Sequence, residues 1–417
     1  MASVLDDVRV LELGGELGAW CGKLLADMGA TVIKVEPPTG DQTRRYPPYF
    51  GDEPNKDRSL YFWHYNTNKR SVTLDITTEQ GREILRRLAS TADVVIDSFA
   101  PGYLDALGIG YERLQEVVPT IVMAAITPFG QGGSYRDYAA TDLTALAFGG
   151  PVWSCGYDDH SLPPVRGGGN QAYHTSCHFA VIGIMTALIH RQFSGAGQFI
   201  DVNMHAAQNV TTEGAAYNWL VAGGTVQRQT GRHAALEPTP VSQVLCRDGR
   251  YVNIGFPART EEQWLHLLAW LEEEGLVKDL AEYLSPPSRE AMLRRDPAAL
   301  KQMRQVMEAV QALAQRVDSY DLFRRAQDLG FQWGVIYSPE EALEDPHFRE
   351  RGMTVEVEHP ELEASFNYPG APYKFGASPW RIMRRAPLLG EDNNAVYIEE
   401  LGLTSEELAA LAEAGVV

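Results

Sequence analysis

The sequence predicts an α/β fold with a large Rossmann-like domain and a smaller α+β domain. Residues 8–13 alternate as a buried strand does, residues 14–29 have the apolar spacing of a helix opened by glycines, and residues 31–36 have the pattern of a second strand. This order is a βαβ unit, the building block of parallel sheets that helices cover. A chain of 417 residues, 44% of them apolar, is also too long for one compact domain.

Strands and helices continue to alternate along the first half of the chain, and the composition changes after about residue 208. In the first half, the patterns predict a helix at 79–90, strands at 93–97 and 121–126, a long apolar helix at about 174–191 and a strand at 199–204. Beyond residue 208, they predict a helix and a glycine turn at 218–230, two strands at 241–255 and charged helices at 261–277 and 297–317.

Composition excludes several classes of function. The formal charge of −19 and the lack of any basic run argue against a nucleic-acid partner, because phosphate binding needs clustered Lys and Arg. The four cysteines are scattered without a C-x-x-C pair, which predicts neither a disulfide framework nor a metal site. The N-terminus has no basic region followed by an apolar one, and no window approaches about 20 uninterrupted apolar residues. We therefore expect a cytoplasmic protein without a membrane segment.

The first βαβ unit raises the possibility of a dinucleotide site. An acidic residue, Glu36, follows the glycines by about 20 residues, as in nucleotide-binding Rossmann folds. The G-x-G-x-x-G fingerprint fails, however, because Glu16 stands where a glycine is needed. An anionic side chain there would repel a pyrophosphate, so the sequence argues against NAD.

Glycine and proline motifs recur in a distinctive order from residue 65 to the C-terminus. They are YNTNKRSVTLD at 65–75, PGYLDALG at 101–108, the helix end A-L-x-x-R with G-x-G-Q-x-x-D-V at 187–202, DPHFRERG at 345–352, PYKFGASP at 372–379 and APLLGED at 386–392. In this order they resemble the family III CoA-transferases, which include formyl-CoA transferase and carnitine CoA-transferase. The resemblance covers essentially the whole chain and is weakest between about residues 208 and 339.

The resemblance implies a fold, a substrate and a binding site. Two chains of the family are threaded through one another like links, and the division implied here is 1–207 for the first part of the large domain, 208–340 for the small domain, and 341–417 for a segment that returns to the large domain. Coenzyme A would be a substrate, with no covalently bound cofactor. Asn68, Lys69, Arg70 and Phe99 would lie near it. A solvated basic loop is the alternative interpretation of Lys69 and Arg70.

Three positions depart from the family pattern, and one of them is the nucleophile. The family's aspartate attacks an acyl-CoA thioester to give a mixed anhydride and then an enzyme-bound acyl-CoA, and Tyr173 occupies its position. A phenol with an ordinary pKa of about 10 cannot replace a carboxylate that must both attack and leave. Ala106 stands where the family has an arginine that helps to hold CoA, and Cys177 where it has glycine. His174 is the nearest candidate base, although a His that opens a helix is more often a capping or packing residue.

The departures lead to a first hypothesis. The chain would be a non-catalytic, structural or regulatory subunit of a heteromeric family III CoA-transferase that moves CoA from succinyl-CoA to an aromatic dicarboxylic acid such as benzylsuccinate. Its partner would be a homologous subunit that carries the aspartate. No catalytic residue is expected in this chain.

Three alternatives stay open. A free-standing transferase could use another carboxylate, with Asp142, Asp158 and Asp159 as candidates, although Asp142 has the position of a helix N-cap and the other two lie in a polar loop. A racemase of the related 2-methylacyl-CoA type would need a His and Asp pair, but the Gly-Asp dipeptide before the long helix is missing. An inactive scaffold could simply bind acyl-CoA.

Overall fold

A computed structural model describes residues 3–417 except 256, 257, 259, 278–285, 289, 292, 293 and 295. The chain divides into two compact units. The first comprises Met1–Gly150, Gly167–Thr211 and Leu343–Val417, and the second comprises Pro151–Arg166 and Thr212–Ala342. Residues 151–166, which the sequence division assigns to the first part of the large domain, thus group with the second unit.

The first unit is built on a six-stranded sheet in which every pairing is parallel, with the strand order β3-β2-β1-β4-β5-β6. This confirms the predicted α/β class with a parallel, Rossmann-like sheet. The elements up to residue 211 are β1 Arg9–Leu13, α1 Glu16–Asp27, β2 Thr31–Glu36, α2 Leu60–Tyr65, β3 Arg70–Thr73, α3 Glu79–Ala89, β4 Val94–Asp97, α4 Tyr103–Ala106, α5 Tyr111–Val117, β5 Val122–Thr127, α6 Asp142–Gly149, α7 Gln171–Ser194, β6 Phe199–Asn203 and α8 Met204–Asn209.

Each face of the sheet has its own apolar core. Alternate residues of β1 point to opposite faces, so Leu11 belongs to one core and Val10 to the other. Helices α3 and α5 cover the first face, and α1 and α7 cover the second. Because both faces are covered, the strands are nearly continuous apolar runs, which is why they were recognisable in the sequence.

The strand order reverses direction at β1. The chain passes from β1 to β2 and β3 on one side, and β4 then pairs with the other side of β1. In open α/β sheets, the crevice at the carboxyl ends of two such strands is where ligands bind. Gly14 and Glu16 follow β1 into this crevice, and Ser98 and Phe99 follow β4. Gly14 has φ +95°, and a Cβ on it would collide with the Ser98 hydroxyl group, so only glycine allows this close approach.

Helix α7 is the longest helix of the first unit, with 24 residues. It begins three residues before the predicted start and ends at Gly195, whose φ of +70° closes it. Among the described residues, α7 alone has the length and composition of a membrane-spanning helix, and those two features are equally those of a helix in a protein core. Its inner face, which includes Ala180 and Ile184, packs in the core between α7 and the sheet.

The second unit is a mixed α and β structure with small antiparallel sheets. The strands predicted around the Asp248-Gly249 turn are present as an antiparallel pair. The helix and glycine turn predicted at 218–230 are present as a helix at Gly214–Ala222 that Gly223 closes, and a strand hairpin follows. Its core is centred on Trp264, Trp333 and Val310. The elements are α9 Gly214–Ala222, β7 Gln227–Gln229, β8 Arg232–Ala235, β9 Gln243–Leu245, β10 Tyr251–Asn253, α10 Glu261–Glu273, α11 Pro297–Ala314, α12 Ser319–Asp328, β11 Gly334–Val335 and α13 Pro339–Glu344, which crosses the boundary between the units.

The C-terminal residues complete the first unit. The Tyr397 hydroxyl group donates a hydrogen bond of 2.8 Å to the carbonyl of Thr73 in β3, and Leu408 joins the core beneath α3. The elements are α14 Pro346–Glu350, the hairpin β12 Thr354–His359 and β13 Ala364–Pro369, a π-helix at Asn394–Glu400 and α15 Ser405–Glu413.

Candidate active site at the carboxyl edge of the sheet

Tyr173 lies in the first turn of α7 and is 6% exposed. Its hydroxyl oxygen accepts a hydrogen bond of 3.2 Å from the backbone N–H of Asp142, and its O–H donates one of 3.2 Å to the Glu16 carboxylate. Burial raises the pKa of this phenol, and the neighbouring Glu16 charge raises it further. The hydroxyl group is therefore protonated at neutral pH and cannot serve as the acyl-accepting nucleophile.

Glu16 is the first residue of α1, and its side chain is the functional group that the sequence patterns did not single out. The Tyr173 hydroxyl group donates a hydrogen bond to it at 3.2 Å, and the Tyr46 and Tyr61 hydroxyl groups lie close enough to act on its pKa. Burial raises the pKa of this carboxyl group, and the three neighbouring tyrosine hydroxyl groups oppose that rise. The one local signal for it is an acidic residue shortly after a buried strand, at the start of a helix. In the sequence, that residue indicated only that a nucleotide phosphate would be repelled.

Aromatic side chains surround this pair. His174 Nε2 lies 2.8 Å from the Tyr65 hydroxyl oxygen, and the His174 ring stacks on Trp20 with 4.5 Å between centroids. Asn170 Nδ2 donates to the hydroxyl oxygens of Tyr61 and Tyr65 at 2.9 and 3.2 Å. Burial lowers the pKa of His174, so the imidazole is neutral at physiological pH. The structure thus places His174 in a packed wall of rings.

Asp142 does not cap its own helix, contrary to the sequence interpretation. Thr141 is the N-cap of α6, and the Asp142 carboxylate instead accepts a 2.8 Å hydrogen bond from the backbone N–H of Ala172 in α7. The folded chain brings the start of α7 against the start of α6, so the buried carboxylate satisfies one of the free N–H groups of the longer helix. Asp142 therefore anchors Tyr173 in position.

The other two candidate carboxylates belong to the second unit. Asp158 forms an ion pair with Arg232, and Asp159 accepts hydrogen bonds from the backbone N–H and the hydroxyl group of Ser161. Those Ser161 hydrogen bonds lower the pKa of Asp159. Both contacts are those of a folded polar loop.

Lys69, expected near CoA, faces the protein interior. It is fully buried, and its ammonium nitrogen lies 2.7 Å from a Glu12 carboxylate oxygen, 2.8 Å from the Ala19 carbonyl and 2.9 Å from the Asn66 side-chain oxygen. Lys34 lies 3.0 Å from the other oxygen of Glu12. Burial lowers the pKa of Lys69 to about 8, although Glu12 opposes that shift. In this structure an internal ion pair holds the Lys69 ammonium group, because charged side chains in the core must be partnered.

Asn68 and Arg70 contact the C-terminal residues. The Asn68 side-chain oxygen accepts hydrogen bonds from the backbone N–H groups of Met383 and Arg384 at 2.7 and 3.0 Å, and Arg70 pairs with Asp392 and Glu400. Asn68 has φ +63°, a backbone conformation that asparagine tolerates better than most residues. The motif that resembles a CoA-binding segment therefore holds two distant parts of the chain together.

Phe99 lies in the crevice, as the strand order requires. It follows β4, is half-buried and packs on Tyr103 with 4.8 Å between ring centroids. Its backbone N–H donates to Asp97, whose pKa burial raises to about 7. Ala106, at the end of α4, leaves this side of the crevice without the cation that the family pattern has there. Of the four residues expected near CoA, Phe99 alone is placed by the structure at this carboxyl edge.

The described residues contain no group of three His, Cys, Asp or Glu side chains arranged for a metal ion. Cys177, in the glycine position of the family pattern, is buried, and its thiol donates to the Leu17 carbonyl at 3.0 Å. Burial raises the pKa of this thiol to about 12. Cys177 is therefore a packing residue between α7 and α1, and an inert one.

Comparisons with known proteins find CoA-transferases, both among family models and among individual proteins. Residues 5–393 match the family model described as CoA-transferase family III. The chain is 32% identical over 416 residues to subunit BbsE of succinyl-CoA:(R)-benzylsuccinate CoA-transferase from Thauera aromatica, with 98% of this chain and 97% of that protein covered. It is also 32% identical over 429 residues to formyl-CoA:oxalate CoA-transferase from Streptomyces avermitilis, with both chains fully covered. A crystal structure of a CaiB/BaiF family protein from Brucella suis superposes with a TM-score of 0.77 at 29% identity, covering 96% of this chain and 100% of the other.

Proposed function

Because the chain belongs to CoA-transferase family III, we propose that it is the non-catalytic, structural or regulatory subunit of a heteromeric enzyme that moves CoA from succinyl-CoA to an aromatic dicarboxylic acid such as benzylsuccinate. The observation that carries the proposal is the state of Tyr173. A buried, protonated phenol, hydrogen-bonded on both sides, lies where the family resemblance places the nucleophilic aspartate. The enzyme's acyl transfer therefore takes place in another chain.

The reaction needs a carboxylate for a chemical reason. The nucleophilic carboxylate must displace the CoA thiolate to form a mixed anhydride, and the thiolate then attacks the enzyme carbonyl of that anhydride and releases the donor acid. The enzyme carboxylate must finally leave again when the CoA passes from it to the incoming acid. A protonated phenol is too weak a nucleophile for this reaction. The Asp142 carboxylate and the two carboxylates of the second unit are not available as the nucleophile either, because each is engaged in local contacts. A homologous subunit with an aspartate at the equivalent position would supply it.

The likeness to subunit BbsE supports the choice of donor, acceptor and partner. BbsE is by name one subunit of an enzyme that uses succinyl-CoA and (R)-benzylsuccinate, and 97% of its length aligns with this chain. The equal identity to formyl-CoA:oxalate CoA-transferase supports only the general transfer of CoA between acids. We place the heteromer in the cytoplasm, with the two subunits threaded through one another.

Weak binding of CoA by the isolated chain belongs to the same proposal. Ala106 removes a cation from the crevice, Lys69 is turned inward, and Glu16 adds a negative charge. An arginine contact to a phosphate contributes about 1 to 3 kcal/mol, which is about one to two decades of affinity. Micromolar binding of CoA to the chain alone, measured by calorimetry, would contradict this part.

The test is reconstitution. The chain is purified from its native source together with whatever accompanies it, and the chain, its partner and the mixture are assayed with succinyl-CoA and benzylsuccinate. We expect the chain alone to be inactive, the mixture to turn over, and replacement of the partner's aspartate by alanine to lower turnover by several orders of magnitude.

Chemical trapping of an enzyme-bound acyl group shows which of the two chains carries the nucleophile. Hydroxylamine or borohydride added during turnover intercepts acyl groups bound to a carboxylate. An adduct on this chain would replace the proposal by a transferase that uses one of its own carboxylates. An adduct on the partner alone is the expected result.

A further inference from the structure

Tyr46, Tyr61 and Tyr173 come from three different parts of the chain, yet all three lie beside Glu16. The Tyr173 O–H donates to the Glu16 carboxylate at 3.2 Å, and the Tyr46 and Tyr61 hydroxyl groups lie close enough to lower its pKa. Tyr46 follows a short 3-10 turn, Tyr61 lies in α2 and Tyr173 in α7. The rings of Tyr46 and Tyr61 pack edge to face with 5.2 Å between centroids, and Asn170 donates to the Tyr61 oxygen at 2.9 Å. That donation leaves the Tyr61 proton free to point at another acceptor. We call the three hydroxyl groups the tyrosine cradle.

The cradle suits an anionic acceptor such as a carboxylate. It places three hydroxyl groups beside one acceptor, and hydrogen bonds to an ionised acceptor are stronger than neutral ones. The carboxylate also sits in the first turn of α1, where the helix dipole favours a negative charge. No Lys or Arg of the described chain forms an ion pair with Glu16, so the tyrosines and the helix are what hold it.

The cradle lies at the position where the family resemblance places the acyl site. Tyr173 lies where the family resemblance places the nucleophile, and its hydroxyl group meets Glu16 at the start of α1. This is also the crevice where the strand order reverses between β1 and β4.

We propose that the tyrosine cradle is a carboxylate-binding site within the acyl site of this chain, and that the chain fills it with its own Glu16. A CoA-transferase moves CoA from one carboxylic acid to another, so Glu16 takes the place of an acid substrate and closes this site to it. The inference rests on the proposed function, because the acyl site is identified through the position of Tyr173. The acyl site of this subunit thus lacks a nucleophile and is also occupied by one of the subunit's own side chains.

The test removes the Glu16 carboxylate from the cradle and measures whether a small carboxylate binds in its place. In the full-length chain, Glu16→Ala removes the carboxylate and leaves the three hydroxyl groups in place. We expect this variant to bind acetate with a Kd in about the low millimolar range, at least about tenfold tighter than the wild-type chain does, when measured by calorimetry and by the rise of Tm with acetate. Glu112→Ala removes an exposed negative charge from α5 of the same unit and should leave acetate binding at the wild-type level.

Each outcome decides a separate question. Acetate binding by Glu16→Ala that is weakened again in Glu16→Ala/Tyr46→Phe supports the cradle, and equal, weak binding by all variants overturns it. Turnover of succinyl-CoA by the wild-type chain alone would overturn the proposed function without touching the acetate result.

A titration of the wild-type chain covers the case in which Glu16→Ala does not fold. Carbon-13 NMR of labelled glutamate side chains follows the Glu16 carboxyl group, assigned from the folded Glu16→Gln chain or, failing that, by its response to removal of single hydroxyl groups. Loss of one donor in Tyr46→Phe should raise the pKa of Glu16, because the donor stabilises the ionised form. No glutamate titration that responds to removal of any of the three hydroxyl groups would overturn the cradle.

Discussion

Two regions of the first unit were both expected to bear on CoA, and the structure uses them in opposite ways. The segment Asn66–Arg70 matches the family pattern residue by residue, yet its side chains form internal contacts with Glu12 and the C-terminal residues. The start of α7 departs from the pattern at Tyr173, and there the chain builds a new contact in the crevice. A segment that matches a family motif can thus have a structural role, while a position that departs from the family pattern can change the contacts in the site.

Charge explains the difference. Lys69 lies in the core, where an unpaired charge is not tolerated, so its position is fixed by Glu12 whether or not a ligand binds. Tyr173 is also buried but neutral, and hydrogen bonds with Glu16 and the Asp142 N–H hold its hydroxyl group in place without an ion pair.

The largest effect should follow removal of the buried carboxylate. Glu12→Gln leaves the Lys69 ammonium group in the core without its carboxylate, and we expect a loss of about 3 to 5 kcal/mol in the free energy of unfolding. Denaturation in urea with an unchanged slope measures it. Glu116→Gln, which breaks the exposed pair with Arg113, is the matched control and should change stability by less than about 1 kcal/mol. Equal effects of the two variants would show that the ion pair of Lys69 does not fix this region.

A smaller effect, dependent on pH, should come from the contacts that hold the C-terminal residues. Burial alone would raise the pKa of Glu391, but two hydrogen bonds from Arg385 and one from the Leu388 N–H lower it from 4.5 to about 2. A carboxyl group with a lowered pKa stabilises the fold above its ordinary pKa, and that stability is lost as pH falls from about 4.5 to about 2. Glu391→Gln should cost about 1 to 3 kcal/mol at pH 7.

The comparison of wild type and Glu391→Gln at two pH values checks the sign. Their difference in unfolding free energy should be present at neutral pH and should shrink as the pH approaches the lowered pKa of about 2. A difference that stays constant with pH would assign the effect to packing.

The start of α7 should respond to loss of its cap. Asp142→Ala leaves the Ala172 N–H without its acceptor, and we expect a loss of about 0.5 to 2 kcal/mol and faster hydrogen exchange at that amide. Asp142→Asn keeps an oxygen acceptor and should lose less. If Asn and Ala variants lose the same stability, the carboxylate acts on α7 by some means other than capping.

The smallest effect should be that of the tyrosine hydroxyl group. Tyr173→Phe removes one hydrogen bond on each side of the phenol, and a loss of about 0.5 to 1.5 kcal/mol is expected for the chain. Turnover by the complex should show nothing like the loss of several orders of magnitude that follows removal of the partner's aspartate. A comparable loss would make Tyr173 part of the chemistry and would remove the contrast between the two regions.

Local pattern determined the elements of the sheet. Apolar runs and glycine punctuation located β1, β2, β4 and β5 to within a residue or two, and the long helix to within three, because strands covered on both faces and helices packed on one face leave a period in the sequence. The order of motifs also determined the family, and the absence of an aspartate at Tyr173 followed from counting alone.

Tertiary structure decided which charges are internal and which groups meet. Glu16, Tyr46, Tyr61 and Tyr173 are separated by up to 157 positions, and no local period relates them. The inward turn of Lys69, the capping of α7 by Asp142 and the grouping of residues 151–166 with the second unit are likewise contacts between distant segments. Such contacts depend on how whole helices and strands pack, since burial and pairing are properties of the assembled core and not of the residues beside them in sequence.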